Sequence, residues 1–218
     1  MSKPLPTSRQ ATLLRQTGLV EAALQLAAQR NPADITTGDL AQAVGISQGA
    51  VFKHFPSKQA VWLAVLDWAT VQLMQKLQAA VQVRRDEPKG FNPLAALQDV
   101  FIAHVDFVIA YPGVPRVVFQ ELQHAKTTPL KERAQGLMRD YRLLVKGLLD
   151  GAVQAQTISA QLDTQAATVL FMGAVQGLVM QSLMAGSLRG MHLQAAAVFN
   201  IYANGLSHVP ARTTREKS

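Results

Sequence analysis

The sequence predicts an all-α fold of about nine helices, with an N-terminal three-helix head and a larger helical body. Three observations predict it. Alanine, leucine and glutamine dominate the chain, and all three favour helix. Alternating β-branched and polar runs bounded by hairpin turns, the mark of strands, are nearly absent. Helix start and stop signals recur throughout, among them Asn31-Pro32, Asn92-Pro93 and Thr128-Pro129.

The first helix runs over about 8–30 and stops at Asn31-Pro32. Two short helices follow, about 37–44 and 48–55. A long helix begins after Ser57, whose hydroxyl can cap it, and reaches about 83. The charged loop 84–90 leads to a helix with Asn92 as N-cap and Pro93 in the first helical position. Residues 111–115 break that helix, and a short one continues to about 124. Thr128 and Pro129 open the next, which reaches about 154. Asp163 caps a helix over 164–187, and Gly190 separates it from a last helix over 191–207. The organisation expected is a head over 8–57, a body over 58–208 and a disordered tail over 209–218.

Composition narrows the function. Hydrophobic residues make up 49% of the 218 residues and charged residues 16%, too apolar a balance for a disordered chain. Cysteine is absent, which excludes disulfides, thiolate metal sites and cysteine nucleophiles. The net charge of +7 is uneven: residues 1–60 hold six basic and three acidic side chains, whereas 61–209 hold twelve and ten. A basic head before a nearly neutral body favours a polyanion as the head's partner. Residues 1–10 lack an apolar core, so no secretory signal is read there, and a cytoplasmic location is expected.

Residues 164–188 carry no charge and are long enough to span a bilayer. Gln165, Thr168, Gln176, Gln181 and Ser182 interrupt the run, and no aromatic belt flanks it. The expectation is therefore a helix buried by its own domain and by a partner, with no membrane. The histidines at 54, 104, 124, 192 and 208 show no paired metal spacing, and Asp99, His104 and Asp106 make only a weak constellation. P-loop, dinucleotide and nucleophile-elbow motifs are absent. No enzyme activity, cofactor or metal is expected.

Function is carried by residues 37–55. Two helices crossing steeply need a small residue where they touch, and Ala41 is placed for that. The turn between them needs a residue tolerant of positive φ, and Gly45 supplies it. Leu40, Val44, Ile46 and Val51 are apolar pins, and Ser47 is the N-cap of the second helix. Spacing alone also allows a generic helical hairpin.

The run from Ile35 to Leu63 resembles the DNA-binding domain of the tetracycline-repressor (TetR) family of bacterial transcription regulators. The matching residues are Thr36-Thr37, Asp39-Leu40-Ala41, Val44-Gly45-Ile46-Ser47, Gly49-Ala50-Val51-Phe52, His54-Phe55 and Ser57-Lys58, with Glu21-Ala22-Ala23-Leu24 in the first helix. The resemblance covers about 15–66. Phe52 stands where the family usually has tyrosine, so a phenolic hydroxyl to phosphate is missing, and Gly18 interrupts the first helix.

The resemblance implies that the helix after Ser47 enters the major groove of a double-stranded operator. Gln48 would contact adenine, Gly49 would let the backbone approach, and the Ala50 methyl would meet a thymine methyl. Lys53 would reach guanine or phosphate. Thr37 and Lys58 would hold phosphates, and so would His54 unless it packs against Phe55. Phe52 is expected in a core or stacking contact.

Specificity needs two copies, so a homodimer through the last two helices is implied. Leu193, Ala197, Ile201 and Leu206 are expected near one face, with Ala196 and Ala203 beside them. The resemblance also implies a small-molecule effector among the middle helices. Candidate pocket residues are Phe101, His104, Val105, Phe119, Met138, Tyr141, Phe171 and Gln176. A repressor released from a palindromic operator by that effector is the function expected. A body that binds a protein partner instead is the alternative.

Overall fold

The computed structural model describes residues 8–88 and 90–207. The tail expected over 209–218 lies outside the described residues, as does His208. Among the described residues the chain forms nine α-helices, one 3₁₀ turn and no strand. They are α1 (Ser8–Gln29), α2 (Thr37–Ala43), α3 (Gln48–His54), α4 (Lys58–Arg85), α5 (Pro93–Ala110), α6 (Gly113–Leu122), α7 (Pro129–Gln154), α8 (Thr164–Met184) and α9 (Met191–Ser207).

The caps expected from sequence start these helices. Ser57 accepts from the Ala60 N–H at 3.1 Å, Asn92 from Leu94 and Ala95, and Thr128 from Lys131 at 3.0 Å. Asp163 accepts from the N–H groups of Gln165 and Ala166. Each such cap is worth about 1 kcal/mol. α8 ends earlier than expected because the Ser187 N–H turns back to the Ser182 carbonyl.

Packing groups the residues into two compact units. Unit 1 takes the chain up to Leu73 together with Val108–Met138; unit 2 takes Met74–Phe107 and the chain from Arg139 onward. In unit 1, α1 packs against α2 and α3, and Leu19, Ala23, Ala27, Ile35, Leu40 and Val51 are all fully buried. Each of the larger side chains contributes about 1.5–3 kcal/mol. α6, placed in the body from sequence, packs against α1. The approach is close: a Cβ on Gly113 would lie 2.2 Å from the Leu24 carbonyl oxygen, so only glycine fits. Trp68 and Tyr111 meet edge to face at 4.8 Å.

Unit 2 is built around aromatic rings. Phe101 meets Phe171 at 5.3 Å and Phe199 at 5.6 Å, and Phe171 meets Tyr202 at 5.6 Å. Arg84 of α4 holds Asp99 of α5 through two hydrogen bonds. Asp150 of α7 takes both Lys146 and the Thr164 hydroxyl at 2.7 Å, which ties the start of α8 to α7. α5 and α8 are long and apolar enough to cross a membrane by length and composition, and each is about half buried by the chain's own packing.

Candidate nucleic-acid interface and effector site

The short helices of the head are held from beneath. Thr36 is the N-cap of α2 and forms a reciprocal box with Asp39: the Asp39 N–H donates to Thr36 Oγ1 at 3.1 Å, and the Thr36 N–H donates to the Asp39 carboxylate at 2.7 Å. Arg30 pairs with the same carboxylate at 2.9 Å. The Thr36 backbone and hydroxyl donors, with Arg30, hold the Asp39 pKa down to about 2. Gly45 takes φ +66° in the turn, as expected, and the Ile46 N–H closes onto the Ala41 carbonyl. Ala41 is buried where α2 and α3 cross; Leu40 and Val51 are fully buried, and Val44 and Ile46 are half-buried. Ser47 caps α3 by accepting from the Ala50 N–H.

With Val51 anchored, the opposite face of α3 is open. Gln48, Gly49, Phe52 and Lys53 are exposed and Ala50 is half-buried. Phe52 is 47% exposed, which removes the core alternative and leaves the stacking one: it sits on the outer side of the helix, one residue past Val51. Gly49 has nothing within 4 Å of where a Cβ would stand, so the fold does not require glycine there. Thr37, the first residue of α2, accepts a hydrogen bond from Gln48 Nε2 at 2.7 Å. Lys58 donates to the Ala33 carbonyl at 2.7 Å and so braces the 3₁₀ turn (Pro32–Asp34). His54 is half-buried with its Nδ1 sealed and unpartnered, while its carbonyl accepts from Gln16.

In unit 2, Phe101, Val105, Tyr141 and Phe171 are fully buried and Gln176 is half-buried. His104 and Tyr141 meet ring to ring at 5.0 Å. Neither the Tyr141 hydroxyl nor His104 Nδ1 has a hydrogen-bond partner. Burial raises the Tyr141 pKa and pushes the His104 imidazole down to about 4, so both are neutral at physiological pH. Phe119 and Met138 belong to unit 1 instead. The weak metal constellation dissolves. Asp99 is taken by Arg84 and Asp106 by His192, and no metal-binding cluster exists among the described residues.

The outer faces of α8 and α9 are apolar. Val169, Leu170 and Met184 stand exposed on α8, and Leu193 and Ile201 on α9 are 81% and 75% exposed. Leu206 does not join them. It lies with Met191, Ala195, Phe199 and Tyr202 on the inward face, four residues after Tyr202 in the helical repeat. A groove of about 1190 Å³ runs between the two helices, lined by Ala166, Leu170, Ala174, Val198, Ile201 and Gly205 among others.

Residues 19–65 match the family model described as bacterial regulatory proteins, tetR family. Over that stretch the head resembles the DNA-binding domain of this family. Tet-repressor-like regulators are DNA-binding proteins rather than enzymes, in line with the sequence reading. Among similar curated proteins is the regulator CymR of Pseudomonas putida, 25% identical, with 84% of this chain and 86% of that protein covered. Another is the nucleoid occlusion factor SlmA of Marinomonas sp., 26% identical over 55% of this chain and 57% of that protein. The match to SlmA of Marinobacter nauticus spans 45% of that protein, so the chain matches about half the length of these factors. The fatty acid degradation regulator FadR of Bacillus halodurans superposes with a TM-score of 0.75 at 17% identity, covering 95% of this chain and all of that one. FadR of Bacillus subtilis, solved with stearoyl-CoA, gives 0.72 at 15% identity, covering 87% and 98%. These likenesses give the whole chain the tetR-family regulator fold.

Two features of this head were not read from sequence. The Thr36–Asp39 capping box was legible in principle, since Thr-x-x-Asp precedes an apolar run. The seat of α6 on α1 was not: one glycine beside a proline signals a turn, and nothing local says which helix it touches.

Proposed function

We propose that the protein is a homodimeric transcriptional regulator, a repressor released from a palindromic operator by a small molecule. The observation that carries the DNA-reading role is the open face of α3, with Gln48, Gly49 and Lys53 exposed on a helix whose other side is pinned by Val51. Gln48 reads adenine, Ala50 meets thymine methyl, and Gly49 lets the backbone come close; Ser47 sets the start of the helix. Lys53 reaches guanine or phosphate, and Thr37, His54, Lys58 and the exposed ring of Phe52 line the phosphate path. The hydrogen bond from Gln48 to Thr37 joins a base-reading residue to a phosphate-holding one before DNA arrives. The head is 8–57, and the cytoplasm, where the operator lies, is the location.

Dimerisation through α8 and α9 is supported by their outward apolar side chains, which would cost solubility if left bare. Two heads about 34 Å apart would then read half-sites one helical turn apart. The effector site draws on Phe101, His104, Val105, Tyr141, Phe171 and Gln176 of unit 2. A ~100-fold loss of operator affinity on effector binding requires ~2.7 kcal/mol of coupling.

Selection of duplexes from a random library, followed by gel shift at several salt concentrations, tests the DNA-reading role. A two-fold sequence and a steep salt dependence are expected. Replacing Gln48 should relax one base preference by about 1–3 kcal/mol, whereas replacing Lys58 should weaken all sequences alike. Equal loss on every sequence for Gln48 would refute its base contact. A second reading, a DNA-bound protein whose body meets a protein partner, is favoured by the several nucleoid occlusion factors among the similar proteins.

A further inference from the structure

The geometry points to an uncharged ligand for unit 2: a ring-sized apolar molecule with a single oxygen acceptor, such as a ketone, held by the Tyr141 hydroxyl and His104 Nδ1. This rests on the effector reading and names the chemistry of that same site.

Unit 2 satisfies its other buried side-chain hydroxyls where they are bonded to backbone. Tyr202 donates to the Ala167 carbonyl at 3.0 Å and Thr168 to the Thr164 carbonyl at 2.6 Å. Among the described residues of this unit, the buried side-chain polar atoms without a partner are two, and they belong to the facing rings of Tyr141 and His104. Orphaned buried donors are rare because their lost hydration goes uncompensated. Two of them side by side constitute one unmet requirement. A phenol donates one hydrogen, and a neutral imidazole donates from Nδ1 in one tautomer, so both can converge on one ligand oxygen.

The surroundings fix the rest of the ligand. Phe171 meets the Tyr141 ring at 6.2 Å and Phe101 meets Phe171 at 5.3 Å, both fully buried, so the body of the molecule must be apolar. Among the described residues no lysine or arginine is buried, so an anionic ligand would find no countercharge there. The imidazole is crowded enough to lose its hydration, yet part of the residue remains accessible.

Three probes of matched shape test this on the full chain: acetophenone, ethylbenzene and benzoate, each titrated by calorimetry and located by NMR. Acetophenone should bind ~10-fold more tightly than either of the others, the equivalent of one or two good hydrogen bonds. Tyr141→Phe should cut that preference to ~3-fold or less and leave ethylbenzene affinity unchanged; His104→Leu should do the same. Tyr141→Phe keeps the buried ring, so its melting temperature should hold or rise, and the comparison survives even if His104→Leu does not fold. Tighter binding of benzoate would overturn the uncharged class and leave the effector site standing. Failure of all three probes to bind near these rings, or a crystal structure in which Tyr141 and His104 bond each other or a shared water, would overturn this inference, whereas the effector reading falls only if no small molecule releases the protein from its operator.

Discussion

Gly49 is the residue at which folding and function separate most cleanly. It lies on the exposed face of α3, φ there is not positive, and a Cβ would meet open space. Gly49→Ala should therefore leave stability unchanged or raise it by up to ~1 kcal/mol, while weakening operator binding by bringing a methyl between backbone and duplex. Chemical denaturation and gel shift on one preparation check both halves. Asp39 makes a second prediction. Its pKa is lowered in the folded chain, so its contribution is present above pH 4 and is lost as pH falls toward 2. Asp39→Asn should lower the melting temperature at pH 7, with the gap to the native chain closing by about pH 2, as read by circular dichroism. Phe52 shows what sequence could not supply at this scale. Its period places it one residue past the buried Val51, and an aromatic in an amphipathic helix is more often buried, yet α3 is too short to hide both.

Among the elements, α6 carries the sharpest packing constraint. Gly113→Ala forces a methyl onto the Leu24 carbonyl, and overpacking of this kind costs about 1–3 kcal/mol. Urea unfolding should show that loss, and a neutral effect would mean α1 and α6 can slide apart. Helix number, order and most boundaries were legible in the sequence because the caps are local: Asn92, Thr128 and Asp163 each bond the backbone within three residues. What touches what was less legible. Leu206 and Leu193 are both leucines of one helix, thirteen residues apart, and only the seat of α9 on α8 decides that the first faces inward and the second outward.

For the whole molecule, regulation of an operator requires both pairing and reading. The exposed apolar side chains of α8 and α9 predict that Leu193→Glu combined with Ile201→Glu should shift the protein to a monomer in sedimentation and lower operator affinity at least ~100-fold, since one head alone reads only a half-site. A double variant that dimerises normally would move the interface elsewhere. The most direct measurement is hydroxyl-radical footprinting of the native protein on duplexes recovered from a random library. Two protected half-sites of like sequence about ten base pairs apart, with the Gln48→Ala variant changing the base tolerated at one position in each, is the predicted result. Uniform binding with no preferred sequence, or protection that Gln48→Ala leaves untouched, would contradict it.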